Sequence, residues 1–316
     1  MKIYNEKERI NLREIHLRAP ATTANVGPGY DIFAIALEEP YDEIKLKLND
    51  SGKIKIKLSG EKQDIPLNPN DNTAGIAIQE LLKRKKIRQG IDLQIIKKMP
   101  SGCGLGTTGA SASACVSGLN KILDLDISNN EMIDIARFGE VASGGFPHAD
   151  NVAAALLGGF ILVKSYDPIN VLKLNIPEFP VVLAVIRKSQ RTTRGFISYD
   201  IGESKLKEQI AHCSAVINSI YTRNIEEFGK AINMDYVAEP VRSAAIPNYY
   251  RIKDELLDYG AFGVNISGGG SSVFAICMEN QINKIAQIME KELSGNPNFI
   301  KIIKTKVSNL GVTEIS

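Results

Sequence analysis

Between Gly102 and Gly109 the chain carries four glycines in eight residues, within the run PSGCGLGTTGASA that begins at Pro100. Glycine lets a backbone approach a ligand closely and aim successive N–H groups at it. A helical pattern opens at Thr107, so free helix N–H groups and the positive end of a helix dipole meet at the same place. Thr107, Thr108 and Ser111 add hydroxyls in the first turn, suited to oxygens or a cation. The chemistry these residues fit is the binding of a triphosphate. Gly104-Leu-Gly106-Thr-Thr-Gly109 also has the G-x-G-x-x-G spacing of a dinucleotide site, which requires an acidic residue about 20 positions on, closing a second strand. Asp124 and Asp126 lie near that distance, but at a helix end in KILDLDISNN. Pro100 and the pair Lys97-Lys98 fit poorly into a fully buried parallel strand. The Walker pattern fails as well, because no Lys precedes Thr107 or Thr108.

Glu140 carries a second chemical signal. A helix is predicted from about Asn130 to Val141, opened by the capping box Ser128-Asn-Asn-Glu131. Its apolar stripe is Met132, Ile133, Ile135 and Ala136, and Glu140 falls within that stripe, away from Glu131, Asp134 and Arg137. A carboxylate turned inward requires a cation or hydrogen bonds. His148, a single His among turn residues, is ambiguous on its own. His16 and His212 sit in ordinary strand and helix patterns, with no function assigned. Cys103, Cys115, Cys213 and Cys277 have neither metal-ligand spacing nor the pattern of a disulfide framework, and Cys115 and Cys277 read as small core hydrophobes.

The elements that must position these groups follow from periodicity. Alternation in IDLQII puts Ile91, Leu93 and Ile95 on one face of a strand leading into the glycine loop. YDEIKLKLN and GKIKIKLSG alternate too, and with Ser51-Gly52 between them they read as a hairpin. After the loop, Val116, Leu119, Ile122 and Leu123 fit a helix, and NVAAALLGGFILV predicts a helix broken at Gly158-Gly159 before a short strand. From about Asp167 the pattern changes. VVLAVIR reads as a buried strand, followed by helices around 203–221, 224–234 and 248–259. GVNI and VFAICM read as two strands joined by SGGGSS, and a last helix and the strand FIKIIKTKV close the chain. The fold class is α+β, with two domains, 1–165 and 166–316.

Bulk properties fit this picture. The chain has 316 residues, 44 % apolar and 23 % charged, with net charge +2, so it has apolar mass for a large core and no broad field for a polyanion. The basic run KRKKIR, Lys83 to Arg88, reads as a solvated helix C-terminus. Nucleic acid is thus not expected as a partner. No window approaches 18 uninterrupted apolar residues, and the charged N-terminus MKIYNEKERINLREIHL has no apolar stretch, so neither a membrane span nor a signal peptide is expected and the location expected is cytoplasmic.

Three segments, in order, carry a family resemblance spanning residues 18 to about 277. PSGCGLGTTGASA resembles the phosphate loop of the GHMP kinase superfamily, kinases of small metabolites. APATTANVGPGYDIFAIAL, from Ala19, resembles the opening motif of its homoserine kinase branch. NISGGGSSVFAI, from Asn265, resembles the C-terminal glycine motif. FPHADNVAAALLGGF resembles the branch's His-x-Asp-Asn segment, here His148, Asp150 and Asn151. The opening motif holds Ala21-Thr-Thr-Ala-Asn25, without the Lys that mevalonate kinases place there. SQRTTR and AEPVRSAAIP resemble two segments that each deliver an arginine to the substrate, Arg194 and Arg242.

The resemblance implies a two-domain fold: an N-terminal domain like ribosomal protein S5 domain 2 and a C-terminal ferredoxin-like α/β sandwich. It implies ATP-dependent phosphorylation of L-homoserine in threonine biosynthesis, with another small hydroxy acid as the alternative acceptor. Phosphates would lie on Pro100, Ser101, Gly102, Cys103, Gly104, Leu105, Gly106, Thr107, Thr108, Gly109 and Ala110, with Asn72 at adenine. Mg²⁺ would sit on Thr108 and Glu140, consistent with an ion that takes only one or two carboxylates beside phosphate oxygens. Arg194 and Arg242 would bind the carboxylate, as a planar guanidinium does with two parallel hydrogen bonds. Asn25 and Asp31 would accept from the ammonium, and His148 would bind the substrate. Asp150 and Asn151 would orient the attacking hydroxyl. Without a partnering Lys, nothing in the sequence shows Asp150 activated as a base, and the branch is commonly read as working without a strong one. A homodimer is compatible with the family. Three departures surround the pocket: Thr107-Thr-Gly109 where Ser-Ser-Ala is typical, Phe146-Pro147 where an acidic residue often stands, and RTTRGFISYDI without the usual Leu-Pro.

Overall fold

A computed structural model of the chain describes residues 13–61, 64–188 and 201–315. The first sheet contains β1 (Glu14–Ala24), β2 (Phe33–Asn49), β3 (Ile54–Gly60), β4 (Gly90–Lys97), β5 (Phe160–Tyr166), β6 (Ile169–Leu174) and β11 (Thr313–Glu314). Against it pack α2 (Thr107–Ile122), α3 (Asn129–Arg137) and α5 (Asp150–Leu157), with α1 (Thr73–Arg84) on α2 and α3 and the short α4 (Val141–Gly144) beside α1. The second sheet has the order β10-β7-β9-β8, from β7 (Pro180–Ile186), β8 (Gly263–Ile266), β9 (Val273–Ile276) and β10 (Phe299–Lys306). The later helices are α6 (Glu203–Tyr221), α7 (Ile225–Ile232), α8 (Glu239–Arg242), α9 (Tyr249–Asp258) and α10 (Ile282–Leu293). This mixture is the expected α+β class.

The alternating segments YDEIKLKLN and GKIKIKLSG do not pair as a hairpin. β4 lies between them, antiparallel to β2 with Leu93 opposite Leu46, and parallel to β3 with Leu93 opposite Ile56. The reason is the relative apolarity of the strands. Ile91, Leu93 and Ile95 are all buried and suit a central strand, whereas β3 exposes Lys55 and Lys57, which suit an edge. The chain also does not close on β10, because β11 returns to pair with β1.

β7 explains why VVLAVIR reads as a continuous apolar run. Val181, Leu183 and Val185 join the core of the first sheet, while Val182, Ala184 and Ile186 face a second core formed with α9 and α10. A strand buried on both faces loses the polar alternation that an exposed face would impose. β9 divides in the same way, with Phe274 and Ile276 on one side and Val273 and Ala275 on the other. The helix expected to reach Val141 instead stops at Arg137, and a 3-10 turn over Phe138–Glu140 delivers the carboxylate. Its start is as expected, Ser128 Oγ accepting from Glu131 N–H at 3.3 Å.

Candidate active site

β4 runs inward to Lys97, the glycine loop turns, and α2 begins at Thr107 behind Gly106. Because the N-cap is a glycine, no side chain caps this helix, and its first amides face the loop. Gly106 has φ +64°, and a Cβ on it would lie 1.9 Å from Thr22 Oγ1 and 2.8 Å from Asn151 Oδ1. Gly104 has φ +77°, and a Cβ there would lie 2.3 Å from Ser267 O. Both positions need glycine for conformation and for space. Those near contacts also show which segments meet. Thr22 N–H donates to Leu105 O at 3.1 Å, Thr22 Oγ1 donates to Asn151 Oδ1 at 2.7 Å, and Ser267 Oγ donates to Gly104 O at 2.7 Å. The opening motif, the phosphate-type loop, the Asp150-Asn151 helix start and the C-terminal glycine loop are therefore in direct contact.

Together they wall a cavity of about 380 Å³. Ser101, Gly102, Gly104, Leu105, Gly106, Thr107 and Thr108 line it from the glycine loop, and Glu140, Asn151, Lys188 and Gly270 line it from elsewhere. Pro100, Cys103, Gly109 and Ala110 stand behind that surface. Ala110 N–H is already bonded to Gly106 O at 2.9 Å, and burial pushes the Cys103 thiol up to about 11, which keeps it a neutral wall residue. Two of the three first-turn hydroxyls are also committed. Ser111 Oγ donates to Thr107 O at 3.0 Å, and Thr107 Oγ1 donates to Asp42 Oδ2 at 2.8 Å. Thr108 remains facing the cavity that Glu140, only 5 % exposed, also lines. A hydroxyl and a carboxylate are hard oxygen donors, so this pair fits a Mg²⁺ ion that completes its shell with phosphate oxygens and water.

Asn72 caps α1. Its Oδ1 accepts from Ala74 N–H at 3.0 Å and Gly75 N–H at 3.2 Å, and its Nδ2 donates to Pro66 O at 2.7 Å. Asn72 thus shapes the cavity wall at Asp64–Pro66, with both ends of its amide engaged in structure.

A second group of polar side chains gathers around Gly268. Its carbonyl accepts from Arg242 Nη1 at 2.6 Å and from Asn25 Nδ2 at 3.2 Å. Asn25 has φ +69°, which Asn tolerates better than most residues, and its Oδ1 accepts from Asp31 N–H at 3.1 Å. His148 Nδ1 lies 3.6 Å from Asp31 Oδ1, and Tyr166 donates its hydroxyl proton to Asp31 O at 2.7 Å. Asp150 and Asn151 are buried at the start of α5, where Asp150 Oδ1 accepts from Asn151 N–H at 2.7 Å. Arg194 lies outside the described residues.

The residue that sequence reasoning missed is Lys97. It is 2 % exposed, and its ammonium donates to Asp42, 0 % exposed, and to Thr107 Oγ1. Asp42 Oδ1 also accepts from Lys98 N–H at 2.8 Å and Met99 N–H at 2.9 Å, which fixes the first turn of the loop. Burial pulls the Lys97 pKa down, and the adjacent Asp42 opposes that shift. Strand parity held the signal: Ile91, Leu93, Ile95 and Lys97 share one face, as do Asp42, Ile44 and Leu46. Thr22, Tyr166 and Lys188 left no comparable sequence signal.

A glycine cradle at a helix start, an adjoining hydroxyl–carboxylate pair and a neighbouring hydrogen-bonded cluster of Asn25, Asp31 and Arg242 are the features of a small-molecule phosphotransferase. The chain belongs to the GHMP kinase family: its N-terminal domain description matches residues 72–159 and its C-terminal one matches residues 216–295. Within that family the similarity is to proteins named homoserine kinase. That of Methanococcus vannielii is 36 % identical over 283 residues, 89 % of this chain and 93 % of the relative. That of Sulfurisphaera tokodaii is 35 % identical over 274 residues, 85 % and 88 % of the two chains. The crystal structure of homoserine kinase from Cytophaga hutchinsonii superposes with a TM-score of 0.88 at 32 % identity, covering 99 % of this chain and all of that one.

Proposed function

We propose that the chain transfers the terminal phosphoryl group of ATP to the side-chain hydroxyl of L-homoserine, giving O-phospho-L-homoserine for threonine biosynthesis. The observation that carries this reading is the meeting of glycine loop and acceptor loops. Gly104 packs against Ser267 and Gly270, and one residue away Gly268 O holds both Asn25 and Arg242. A nucleotide tail and an amino acid bound there would lie on adjoining surfaces, which is what direct in-line transfer requires.

The glycine-loop amides and the α2 N-terminus would bind phosphate oxygens, a role that needs no titrating side chain. Thr108 and Glu140 would hold Mg²⁺, which supplies charge neutralisation on the phosphates when bound. Arg242, with Arg194, would take the acceptor carboxylate through charge-assisted hydrogen bonds. Asn25 and Asp31 would accept from its ammonium, with His148 beside them. We assign Asp150 and Asn151 the orientation of the hydroxyl and no strong-base role. Asn151 is tied to Thr22, and the Asp150 Oδ1 already accepts a backbone N–H, which suits a fixed scaffold. A cytoplasmic homodimer is part of this reading, and light scattering in solution tests the dimer.

Coupled ADP release with L-homoserine, mevalonate and shikimate tests the acceptor. Turnover with homoserine well above the other two is expected. Turnover with mevalonate or shikimate and none with homoserine would give the acceptor assignment to the alternative.

A further inference from the structure

The buried polar groups around the acceptor loops close into one circuit. The opening loop meets α6 at Pro28 O, which accepts from Gln209 Nε2 at 2.7 Å and from the Cys213 thiol at 3.3 Å. Gln209 is 6 % exposed, and its Oε1 accepts from Tyr236 N–H at 2.8 Å. Its Nε2 also faces Asp235 Oδ1 at 3.4 Å. Asp235 in turn accepts from Val237 N–H at 2.9 Å, Ala238 N–H at 3.0 Å and Glu239 N–H at 3.0 Å, which fixes the start of α8. The far end of α8 is Arg242, bonded to Gly268 O, and that carbonyl also takes Asn25 from the opening loop. The path therefore leaves the loop at Pro28 and returns to it at Asn25. Behind it, Glu239 accepts from Lys253 Nζ at 2.6 Å and from the Tyr249 hydroxyl.

We propose that Gln209 is a positioning residue that sets the separation between Arg242 and the Asn25–Asp31 loop, and with it the length of amino-acid acceptor the site takes. This rests on the reading of Asn25, Asp31 and Arg242 as acceptor-binding residues. A carboxamide suits the task because it offers a donor at one end and an acceptor at the other, held in one plane. Gln209 uses one end on the loop and the other on the backbone that leads into α8. Removing the amide leaves Pro28 O with the weaker Cys213 thiol donor and the half-buried Tyr236 N–H without its acceptor, so the two segments are free to move apart. Gln209 touches neither the glycine loop nor the nucleotide cavity, so its influence falls on the acceptor alone.

The test is steady-state kinetics of the wild type, Gln209→Leu and Gln209→Asn, the last too short to span both partners. Each variant is expected to raise the KM for L-homoserine about tenfold, the scale of one lost buried hydrogen bond. The KM for ATP should stay within about twofold, because only acceptor binding is affected. 3-Amino-1-propanol, which lacks the carboxylate that Arg242 would hold, should lose no further activity in either variant. If Gln209→Leu fails to fold, Gln209→Asn decides alone. An unchanged homoserine KM, or equal losses for homoserine, ATP and the amino alcohol, would overturn the proposal. A wild type that turns over another acceptor but not homoserine would remove the reading beneath it instead.

Discussion

Lys97 is a charge buried beneath the glycine loop. Its ammonium, Asp42 and the Thr107 hydroxyl form one knot at the base of the cradle, and no water reaches them in quantity at 2 % and 0 % exposure. Removing one partner from such a pair leaves the other uncompensated. Lys97→Met should therefore lower stability by about 3–5 kcal/mol in a denaturant titration. A loss below about 1 kcal/mol, the scale of an exposed pair, would show the knot to be solvated. Glu140 makes the complementary case at the cavity surface. Glu140→Ala should lower kcat about a hundredfold and raise the Mg²⁺ concentration needed for half-maximal rate. Unchanged Mg²⁺ dependence would remove its assignment. Residue by residue, the cradle was legible because glycine spacing and helix onset are local properties. Glu140 was legible from an apolar stripe although the helix proposed to carry it ends three residues earlier. Lys97 is harder to read, because a lysine is rarely buried unless paired and its partner Asp42 lies 55 residues away in the chain, although its strand phase points inward.

Among the elements, the first sheet teaches most. Local alternation identified β2, β3 and β4 as strands, but pairing is a competition among strands that no single segment encodes. The interior place between β2 and β3 went to β4, and the lysine-rich β3 took the edge. That arrangement brings Lys98 of the β4 exit, His16 of β1 and Glu43 of β2 together, with His16 Nε2 2.8 Å from Glu43 Oε2. Hydrogen bonding from Lys98, assisted by His16, lowers the Glu43 pKa from its ordinary 4.5. The unfolded chain then binds the proton more readily, so stability rises with pH between the lowered value and 4.5. The contribution is complete above that window and disappears as pH falls through it. Glu43→Gln should remove this part of the acid slope in thermal melts between pH 3 and pH 5. An identical slope in both proteins would contradict the assignment.

For the molecule as a whole, the two sheets are joined by a common core. One face of β7 and β9 packs with the first sheet and with α6 and α7 residues such as Val216 and Phe228, while the other packs on α9 and α10. We propose a two-domain chain with the nucleotide-binding half first, its sheet completed by β11 from the C-terminus. Leu183, fully buried on the shared face, is the place to test how far the halves depend on each other. Leu183→Ala should cost about 2–5 kcal/mol, and hydrogen exchange should show protection falling in β4 and α2 as well as in β9. Loss confined to the second sheet would mean that the halves unfold separately.

These scales converge on one claim, that a phosphoryl group passes from the glycine cradle to an amino-acid alcohol held at Gly268. Phosphorus NMR of the enzyme with ATP, Mg²⁺ and L-homoserine tests it most directly. A phosphomonoester signal coupled to the side-chain methylene protons of homoserine is expected, appearing in step with ADP. ADP accompanied only by inorganic phosphate, or no ADP at all from folded protein, would contradict it.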